Sequence, residues 1–307
     1  MDVETLIKEN RDIKENSLRA YIIALTKLNG NKKPENLEFL NNKKEIMENI
    51  KDLALTTKKN RLTAILVALG ALGDKEKLLE EYKKELDTLN EEYFQEIKKN
   101  IKTDKQGKNW VKMKELKRTM NKYKKEIDER NILKKENISF KELMILQNYL
   151  ITALYILLPP IRLDFAPMEI ITNKDQIKPD KNYLLVKSRN NKEFIIQEFK
   201  NVKTHGTQNI KVPKMLNSIL NLWLKYKPDD NIFLYNNRKG MMSSNGLGKA
   251  ITKAFKPTGK NITLGLLRKI YISENIDLGA IKKAEKLAEN MLHSPKVQQT
   301  IYYKKDE

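Results

Sequence analysis

The longest apolar stretch of the chain constrains its fold most. It covers residues 143–158, L-M-I-L-Q-N-Y-L-I-T-A-L-Y-I-L-L, and ends at Pro159 and Pro160. A helix that spans a bilayer needs about 20 predominantly apolar residues. This stretch is shorter, and Gln147 and Asn148 interrupt it. We therefore expect a helix buried inside a domain, and no membrane partner. The two prolines stop that helix and fix the backbone after it, which can hold a neighbouring side chain in place.

Amphipathic helical patterns fill the first hundred residues. Apolar residues at spacings of three and four indicate helices with one buried face. The clearest stripes contain Leu18, Tyr21, Ile22, Leu25 and Leu28, then Leu62, Ile65, Leu66 and Leu69, then Leu79, Tyr82, Leu86, Leu89, Tyr93 and Ile97. We place the starts of the first two at the capping residues Asn16 or Ser17 and Thr56 or Thr57.

The chain has 307 residues, enough for two domains. Gly107 and Asn109 mark a turn, and we place the domain boundary there, giving a helical domain over 1–106 and a second domain over 107–307.

In the second domain three short β-rich runs predict a small antiparallel sheet. They are N-Y-L-L-V-K-S, E-F-I-I-Q-E-F and N-I-K-V-P. Lys203 falls at the turn between the last two strands, and Ser243 or Ser244 caps a later helix. The expected fold class is mainly α with a small antiparallel β-sheet: a helical domain followed by an α+β domain.

The charge balance predicts a polyanionic partner. The chain carries 60 Lys and Arg against 40 Asp and Glu, a formal net charge of +20. Double-stranded nucleic acid is favoured over an anionic membrane. A Lys-rich surface that serves solubility is the plain alternative. Residues 98–135 contain 15 basic and 5 acidic residues, so a basic hinge would let both domains close around a duplex.

Two groups of residues are candidates for contacts with a nucleic-acid backbone. The first lies in the predicted first turn of a helix, where cations and free backbone N–H groups together suit phosphate, although a solvated helix cap is an equal alternative. It consists of Lys58, Lys59, Asn60 and Arg61. The second lies in the basic hinge region and consists of Lys112, Lys114, Lys117 and Arg118.

Cysteine is absent, which excludes disulfides and Cys-based zinc sites. The two histidines, His205 and His293, are too few for a His-built metal centre. We expect no metal and no cofactor. The first residues, M-D-V-E-T-L-I-K, lack the apolar core of a signal peptide.

Four residues follow one another along the chain in a recognisable order. They are Arg162 in P-P-I-R-L-D-F-A, Arg268 in L-G-L-L-R-K-I-Y, His293 in M-L-H-S-P-K, and Tyr302 nine residues after His293. This order and spacing resemble the active site of the tyrosine recombinases, the phage-integrase family. The first two segments resemble versions carried by large DNA viruses and their mobile elements. The resemblance covers essentially the whole chain, loosely over the first hundred residues.

The resemblance implies a helical core-DNA-binding domain and a catalytic domain that ends in a tyrosine tail. It also implies a role for each site residue. Arg162 and Arg268 would grip the non-bridging oxygens of a phosphate, a task suited to guanidinium groups. Lys203 would protonate the leaving 5′-oxygen, and His293 would hydrogen-bond the phosphate. Tyr302 would be the nucleophile that forms a 3′-phosphotyrosine link.

The chain also departs from the family pattern. Gly265 stands where the family has a histidine, three residues before Arg268, so the usual imidazole is missing. His205 or Lys269 could assist in its place. Asp164 is given a supporting role, orienting an arginine. Tyr303 is an alternative nucleophile beside Tyr302.

Three functions remain open. The favoured one is a site-specific DNA recombinase or integrase that works as a homotetramer on paired DNA sites, without cofactor. A type IB topoisomerase, which relaxes DNA as a monomer, and a catalytically impaired DNA-binding protein are the alternatives. An integrase that uses three carboxylates and Mg²⁺ is disfavoured, since no acidic trio stands out. We expect an intracellular protein that acts where its target DNA lies, in the cytoplasm of a prokaryote or in the nucleus or virus factory of a eukaryotic host.

Overall fold

The chain divides into two compact units. The computed structural model describes residues 2–228 and 231–302. The first unit ends at Lys102 and the second begins at Thr103, four residues before the boundary that we place from sequence. The difference has a local cause. The side chain of Thr103 forms a capping box with Gln106, so the segment read as a turn begins a short helix at Asp104.

The first unit is entirely helical in its described part. It contains α1 (Val3–Asn10), α2 (Glu15–Leu28), α3 (Lys43–Ile50), α4 (Leu55–Leu72), α5 (Glu76–Lys98) and a 3₁₀ turn (Glu38–Asn41). Helix α4 is central and packs against α1, α2 and α5. Its Leu62, Ile65 and Leu69 are buried, as the stripe predicts. Burying one such side chain stabilises a fold by about 1.5–3 kcal/mol.

Two predicted helix starts are wrong. Helix α2 begins at Glu15 and α4 at Leu55, each before its predicted cap, and neither has a side-chain cap. Packing of the apolar face therefore sets these starts. At the other end of the unit, Ile97 of the predicted α5 stripe is exposed.

The second unit is built around one buried helix. Its helices are α6 (Asp104–Asn109), α7 (Met113–Glu129), α8 (Phe140–Leu157), α9 (Val202–His205), α10 (Lys214–Tyr226), α11 (Ser244–Ala254), α12 (Leu264–Asn275) and α13 (Leu278–Asn290). Helix α8 is the apolar stretch identified from sequence, and α7, α10 and α11 pack around it. Ser139 and Glu142 form a capping box at its start. The prediction of a buried helix is confirmed.

A small mixed sheet packs beside these helices. Its strands are β1 (Glu169–Ile171), β2 (Tyr183–Ser188), β3 (Asn191–Ile196) and β4 (Gln208–Lys211), in the order β1-β2-β3-β4. Strands β2, β3 and β4 pair antiparallel, as predicted. The prediction of a wholly antiparallel sheet is wrong, because β1 pairs parallel to β2. A three-residue strand has no period long enough to be recognised in a sequence.

The described part of the chain ends in helical segments that bury little apolar surface. Beyond α13 lie a helical turn (Pro295–Val297) and a π turn (Gln298–Tyr302). Ala288 is the buried residue of α13. Tyr303, the alternative nucleophile, lies outside the described residues.

Candidate functional site

The loop after α8 carries Arg162 and is held through its backbone. Pro159 and Pro160 follow the helix directly and restrict the chain there. The buried Tyr155 of α8 donates its hydroxyl hydrogen to the backbone oxygen of Arg162 at 2.9 Å. Because this bond uses the carbonyl, it leaves the guanidinium of Arg162 available for a ligand.

Three further contacts fix the loop beyond Arg162. The side-chain amide of the buried Asn182 donates to the backbone oxygen of Asp164 at 3.0 Å. The hydroxyl of Ser244 donates to the backbone oxygen of Ala166 at 2.7 Å. Phe165 is fully buried, and its ring meets that of Tyr155 edge-on at 5.7 Å between centroids. The loop is therefore a rigid support for the side chains that it presents.

Arg268 comes from a different element, helix α12. The side chain of Thr263 caps this helix by accepting from the backbone N–H of Leu266. Leu267 and Ile270 on either side of Arg268 are buried in the core, so they fix the rotation of the helix about its axis. Arg268 itself is half-buried.

These elements meet at a cavity of about 290 Å³. Its polar lining consists of Arg162, Asp164, Asn201, His205, Gln208 and Arg268, and its apolar lining consists of Ile161, Ile196, Phe199 and Ile210. Four residues proposed from sequence are thus brought together: two arginines, an aspartate and a histidine. Asn201, Phe199 and Gln208 were missed, because no local pattern marks them and only the fold brings the β3–β4 connection to this place.

The cavity is electropositive. Half-burial raises the pKa of the Asp164 carboxyl above its ordinary value, and the positive charges of Arg162 and Arg268 offset part of that rise. Even with Asp164 ionised, two guanidinium groups face one carboxylate. The remaining positive charge, and the ability of guanidinium groups to bind phosphate oxygens in pairs, favour an anion in this cavity.

Lys203 and Lys269 do not line this cavity. Lys203 lies between β3 and β4, as predicted, on the helical turn α9, and its side chain is exposed. Lys269 lines a second cavity of about 270 Å³ together with Gly265, Gln106 and Asn109. A side chain added at Gly265 would point into open space, with no atom within 4 Å of its Cβ.

His293 and Tyr302 form a pair of their own. Their ring centroids lie 5.0 Å apart. His293 Nδ1 lies 2.9 Å from the backbone oxygen of Ala288, and its buried Nε2 has no hydrogen-bond partner among the described residues. Tyr302 is 60% exposed. Neither residue is among the described residues that line the cavity with the two arginines.

The first predicted backbone-contact group is not at a helix start. Since α4 begins at Leu55, Lys59, Asn60 and Arg61 lie in its second turn, where backbone N–H groups are already used within the helix. The Lys59 ammonium instead lies 4.0 Å from the centroid of the Tyr93 ring. The prediction of free N–H groups beside these cations is wrong, although the cations stay near the surface.

The second group lies on an exposed helix face. Leu116, Met120 and Tyr123 bury the other face of α7. All four members of the group are exposed: Lys112 at the helix N-cap, then Lys114, Lys117 and Arg118. Their placement makes them available to a polyanion.

Comparison of the chain with protein-family models, with curated proteins and with solved structures finds no match. Across residues 2–228 and 231–302, no helix combines the length and apolar character needed to cross a bilayer. The same residues contain no group of three or more His, Asp or Glu side chains arranged to hold a metal ion.

Proposed function

We propose that this chain is a site-specific DNA recombinase that cuts and rejoins DNA strands through a 3′-phosphotyrosine intermediate. One observation carries the proposal: Arg162 and Arg268, which are 106 residues apart in the sequence, line a single cavity with Asp164 and His205. Two guanidinium groups can bind both non-bridging oxygens of a phosphodiester and stabilise the charge that develops on them during attack. Double-stranded DNA is the proposed substrate, and the net charge of +20 supports it.

The chemistry needs a nucleophile and a proton donor beside the two arginines. The phenol oxygen of Tyr302 forms a bond to phosphorus and releases its proton to solvent, while the bond from phosphorus to the 5′-oxygen breaks and that oxygen gains a proton from the general acid. The free 5′-hydroxyl can reverse the step, so the link keeps the energy needed for rejoining. A phenol is a poor nucleophile at neutral pH unless nearby cations favour its phenolate, and the arginines supply that field once Tyr302 reaches the cavity.

Helix α9 carries both candidates for the proton donor. Lys203 is the one that the family resemblance implies, and His205 is the one that lines the cavity. Because Gly265 removes the family's imidazole, His205 supplies an imidazole from a different element. Histidine can both donate and accept a proton near neutral pH, as the two directions of the reaction require.

The proposal also requires the tyrosine tail to reach the cavity. His293 and Tyr302 already lie side by side, so one movement of the C-terminal segment would deliver both. The segment buries little apolar surface, which keeps the energetic cost of such a movement low. The tail acts in its own subunit or in a neighbouring one within a homotetramer on paired DNA sites.

The test is a trapping experiment with supercoiled plasmid, in which SDS denatures the protein and preserves any covalent protein–DNA adduct. The wild type should give an adduct, and Tyr302→Phe should abolish it while DNA binding persists, since only one oxygen is removed. Tyr303→Phe is the matched control and should keep the adduct. An adduct that survives Tyr302→Phe and vanishes with Tyr303→Phe would move the nucleophile by one residue.

A DNA-binding protein without cleavage activity is the second candidate. Two observations favour it: Gly265 in place of a histidine, and the position of Tyr302 outside the described lining of the cavity. A wild-type protein that binds DNA but never yields an adduct would establish this alternative. Relaxation of plasmid by a monomer without site preference would instead establish topoisomerase-like activity.

A further inference from the structure

A third cavity, larger than the two described above, lies on α11 and the turn that follows it. It has a volume of about 800 Å³ and shares no lining residue with the cavity that holds Arg162 and Arg268. Four lysines line it: Lys249, Lys253, Lys256 and Lys260. All four are exposed, and neither aspartate nor glutamate is among the lining residues. We call this cavity the α11 groove.

The core of the second unit fixes the orientation of these lysines. Leu247, Ile251 and Ala254 bury one face of α11, so Lys249 and Lys253, four residues apart, share the opposite face. The following 3₁₀ turn (Lys256–Thr258) ends at Gly259, whose positive φ of 72° suits glycine and lets the chain turn toward Lys260.

Contacts with other helices of the same unit hold the rim of the groove. Lys122 of α7 donates to the backbone oxygen of Pro257 at 3.0 Å. The side-chain oxygen of Asn109, at the end of α6, accepts from the backbone N–H of Asn261 at 2.8 Å. The groove is thus part of the folded unit rather than a mobile surface loop.

No described acidic side chain pairs with the lysines of the groove. Among the described residues, none of its four lysines forms an ion pair, whereas other lysines do: Lys135 pairs with Glu142, and Lys181 with Glu169. Like charges four residues apart on a helix repel each other, so this arrangement weakens α11 in the free protein. An anionic ligand would remove that repulsion.

We infer that the α11 groove binds the sugar–phosphate backbone of duplex DNA, as a contact surface separate from the cleavage cavity. Lys249 and Lys253 are about 6 Å apart along the helix axis. With α11 along the duplex axis, that distance matches about two phosphate steps of one strand, which rise about 3.4 Å each along the axis. Asn261 adds a side-chain amide donor of the kind that contacts phosphates. The groove lacks the large exposed apolar side chains that insertion into a membrane would use.

The identification of the polyanion as DNA rests on the proposed function, whereas the positive groove itself does not. The test compares two variants that each lose four positive charges in the same unit. The groove variant carries Lys249→Gln, Lys253→Gln, Lys256→Gln and Lys260→Gln. The control variant carries Lys141→Gln, Lys174→Gln, Lys178→Gln and Lys214→Gln, all exposed positions outside the groove. Circular dichroism melting shows whether both variants fold.

Binding to a fluorescently labelled duplex is measured by anisotropy from about 50 to 200 mM salt. The slope of log affinity against log salt is negative, and each lost phosphate contact makes it shallower by about 0.9. The slope of the groove variant should therefore be shallower than that of the wild type by about 3–4. The control variant should lose less than about 1. Equal losses in the two variants would show that net charge alone matters and would overturn the inference.

Adduct trapping on the same preparations separates this inference from the proposed function. Loss of slope in the groove variant, with no adduct from the wild type, would support the groove and reject strand transfer. An adduct from the wild type, with equal slopes in both variants, would do the reverse. Vesicles containing phosphatidylserine test the other polyanion. If the groove variant loses vesicle binding but binds DNA as the control does, DNA is the wrong ligand.

Discussion

At the residue scale, the atoms that hold the candidate site in place differ from the atoms that line its cavity. The backbone oxygens of Arg162 and Asp164 accept hydrogen bonds from Tyr155 and Asn182. Their side chains line the cavity with Arg268. Because the bonds that hold the loop do not involve the guanidinium groups, changing a cavity side chain should alter chemistry more than folding.

Replacing Arg162 or Arg268 with alanine tests this separation. We expect adduct formation to fall by about 10²-fold or more, since an electrostatic donor to the developing phosphate charge is lost. The melting temperature should stay nearly unchanged. The rate is measured by SDS trapping and the stability by thermal melting.

Arg238→Ala is the matched control, because Arg238 is an exposed arginine of the same unit that lies outside the cavity. It should leave the rate of adduct formation unchanged. Cleavage at the wild-type rate by either cavity variant would remove that arginine from the site.

At the scale of secondary-structure elements, a buried lysine joins the β2–β3 hairpin to α10. Lys192 is only 3% exposed. Its ammonium donates to the side-chain oxygens of Asn217 at 2.8 Å and Asn221 at 2.6 Å, and to the backbone oxygen of Arg189 at 2.6 Å. Burial lowers the pKa of Lys192, and the neighbouring Arg189 lowers it further. The hydrogen bonds compensate the charge for its loss of water.

Lys192→Met should therefore destabilise the second unit. Methionine keeps the length of the side chain but removes the lysine donor from the side-chain oxygens of Asn217 and Asn221. The backbone oxygen of Arg189 keeps the hydrogen bond that the Asn217 amide donates at 3.1 Å. We expect a loss of about 1–3 kcal/mol in the free energy of unfolding, measured with urea. Lys211→Met on the exposed side of β4 is the control and should change stability by less than about 0.5 kcal/mol. Equal effects at the two positions would contradict this role.

Helix α5 gives a pH-dependent prediction through Tyr82. Its hydroxyl donates to the backbone oxygen of Leu40 at 2.9 Å. Burial raises the pKa of Tyr82 from 10.0 to about 12, and the nearby Glu81 adds to the rise. Below pH 10 the phenol is neutral in both states, so its contribution to stability is complete. Between pH 10 and 12 the Tyr82 phenol ionises in the unfolded chain but stays neutral in the folded one. The stability that Tyr82 contributes, about 2–3 kcal/mol, is therefore lost as the pH rises.

Tyr82→Phe should make the alkaline loss of stability shallower. The variant loses the hydrogen bond to Leu40, which costs about 1 kcal/mol at neutral pH. It also lacks the phenol at position 82, so the part of the alkaline loss that comes from this residue disappears. Urea unfolding at several pH values from about 9 to 12 measures both effects. An unchanged pH dependence in Tyr82→Phe would show that Tyr82 does not titrate differently in the two states.

At the scale of the whole molecule, two separately folded units share a large positive charge. Each described unit has its own hydrophobic core. The exposed face of α7 carries Lys114, Lys117 and Arg118 in the second unit. This distribution favours a long polyanion over a small anionic ligand.

Binding to duplex DNA should therefore depend strongly on salt. If six to ten phosphates are contacted, affinity should fall by about a thousandfold or more between about 50 and 200 mM salt. The change reflects release of the counterions that each contacted phosphate had condensed. A titration with little dependence on salt would rule out broad contact with the DNA backbone.

The sequence by itself determined the features that depend on local pattern. A continuous apolar run predicted the buried helix α8, and three short β-rich runs predicted β2, β3 and β4. Ser243 caps α11 by accepting from the backbone N–H of Gly246, as its position before a helical pattern predicts. In each case the signal and the structure lie within a few residues of each other, so side-chain periodicity and capping chemistry are sufficient.

Only the tertiary structure decided which of the proposed site residues meet. Arg162 lies on a loop after α8, Arg268 on α12 and His205 on α9, and packing of these elements against the core brings the three to one cavity. Packing likewise leaves Lys203 outside the cavity, and sets the start of α4 at Leu55 without a cap. Such placements depend on burial of apolar faces that are far apart in the sequence, and no local pattern contains that information.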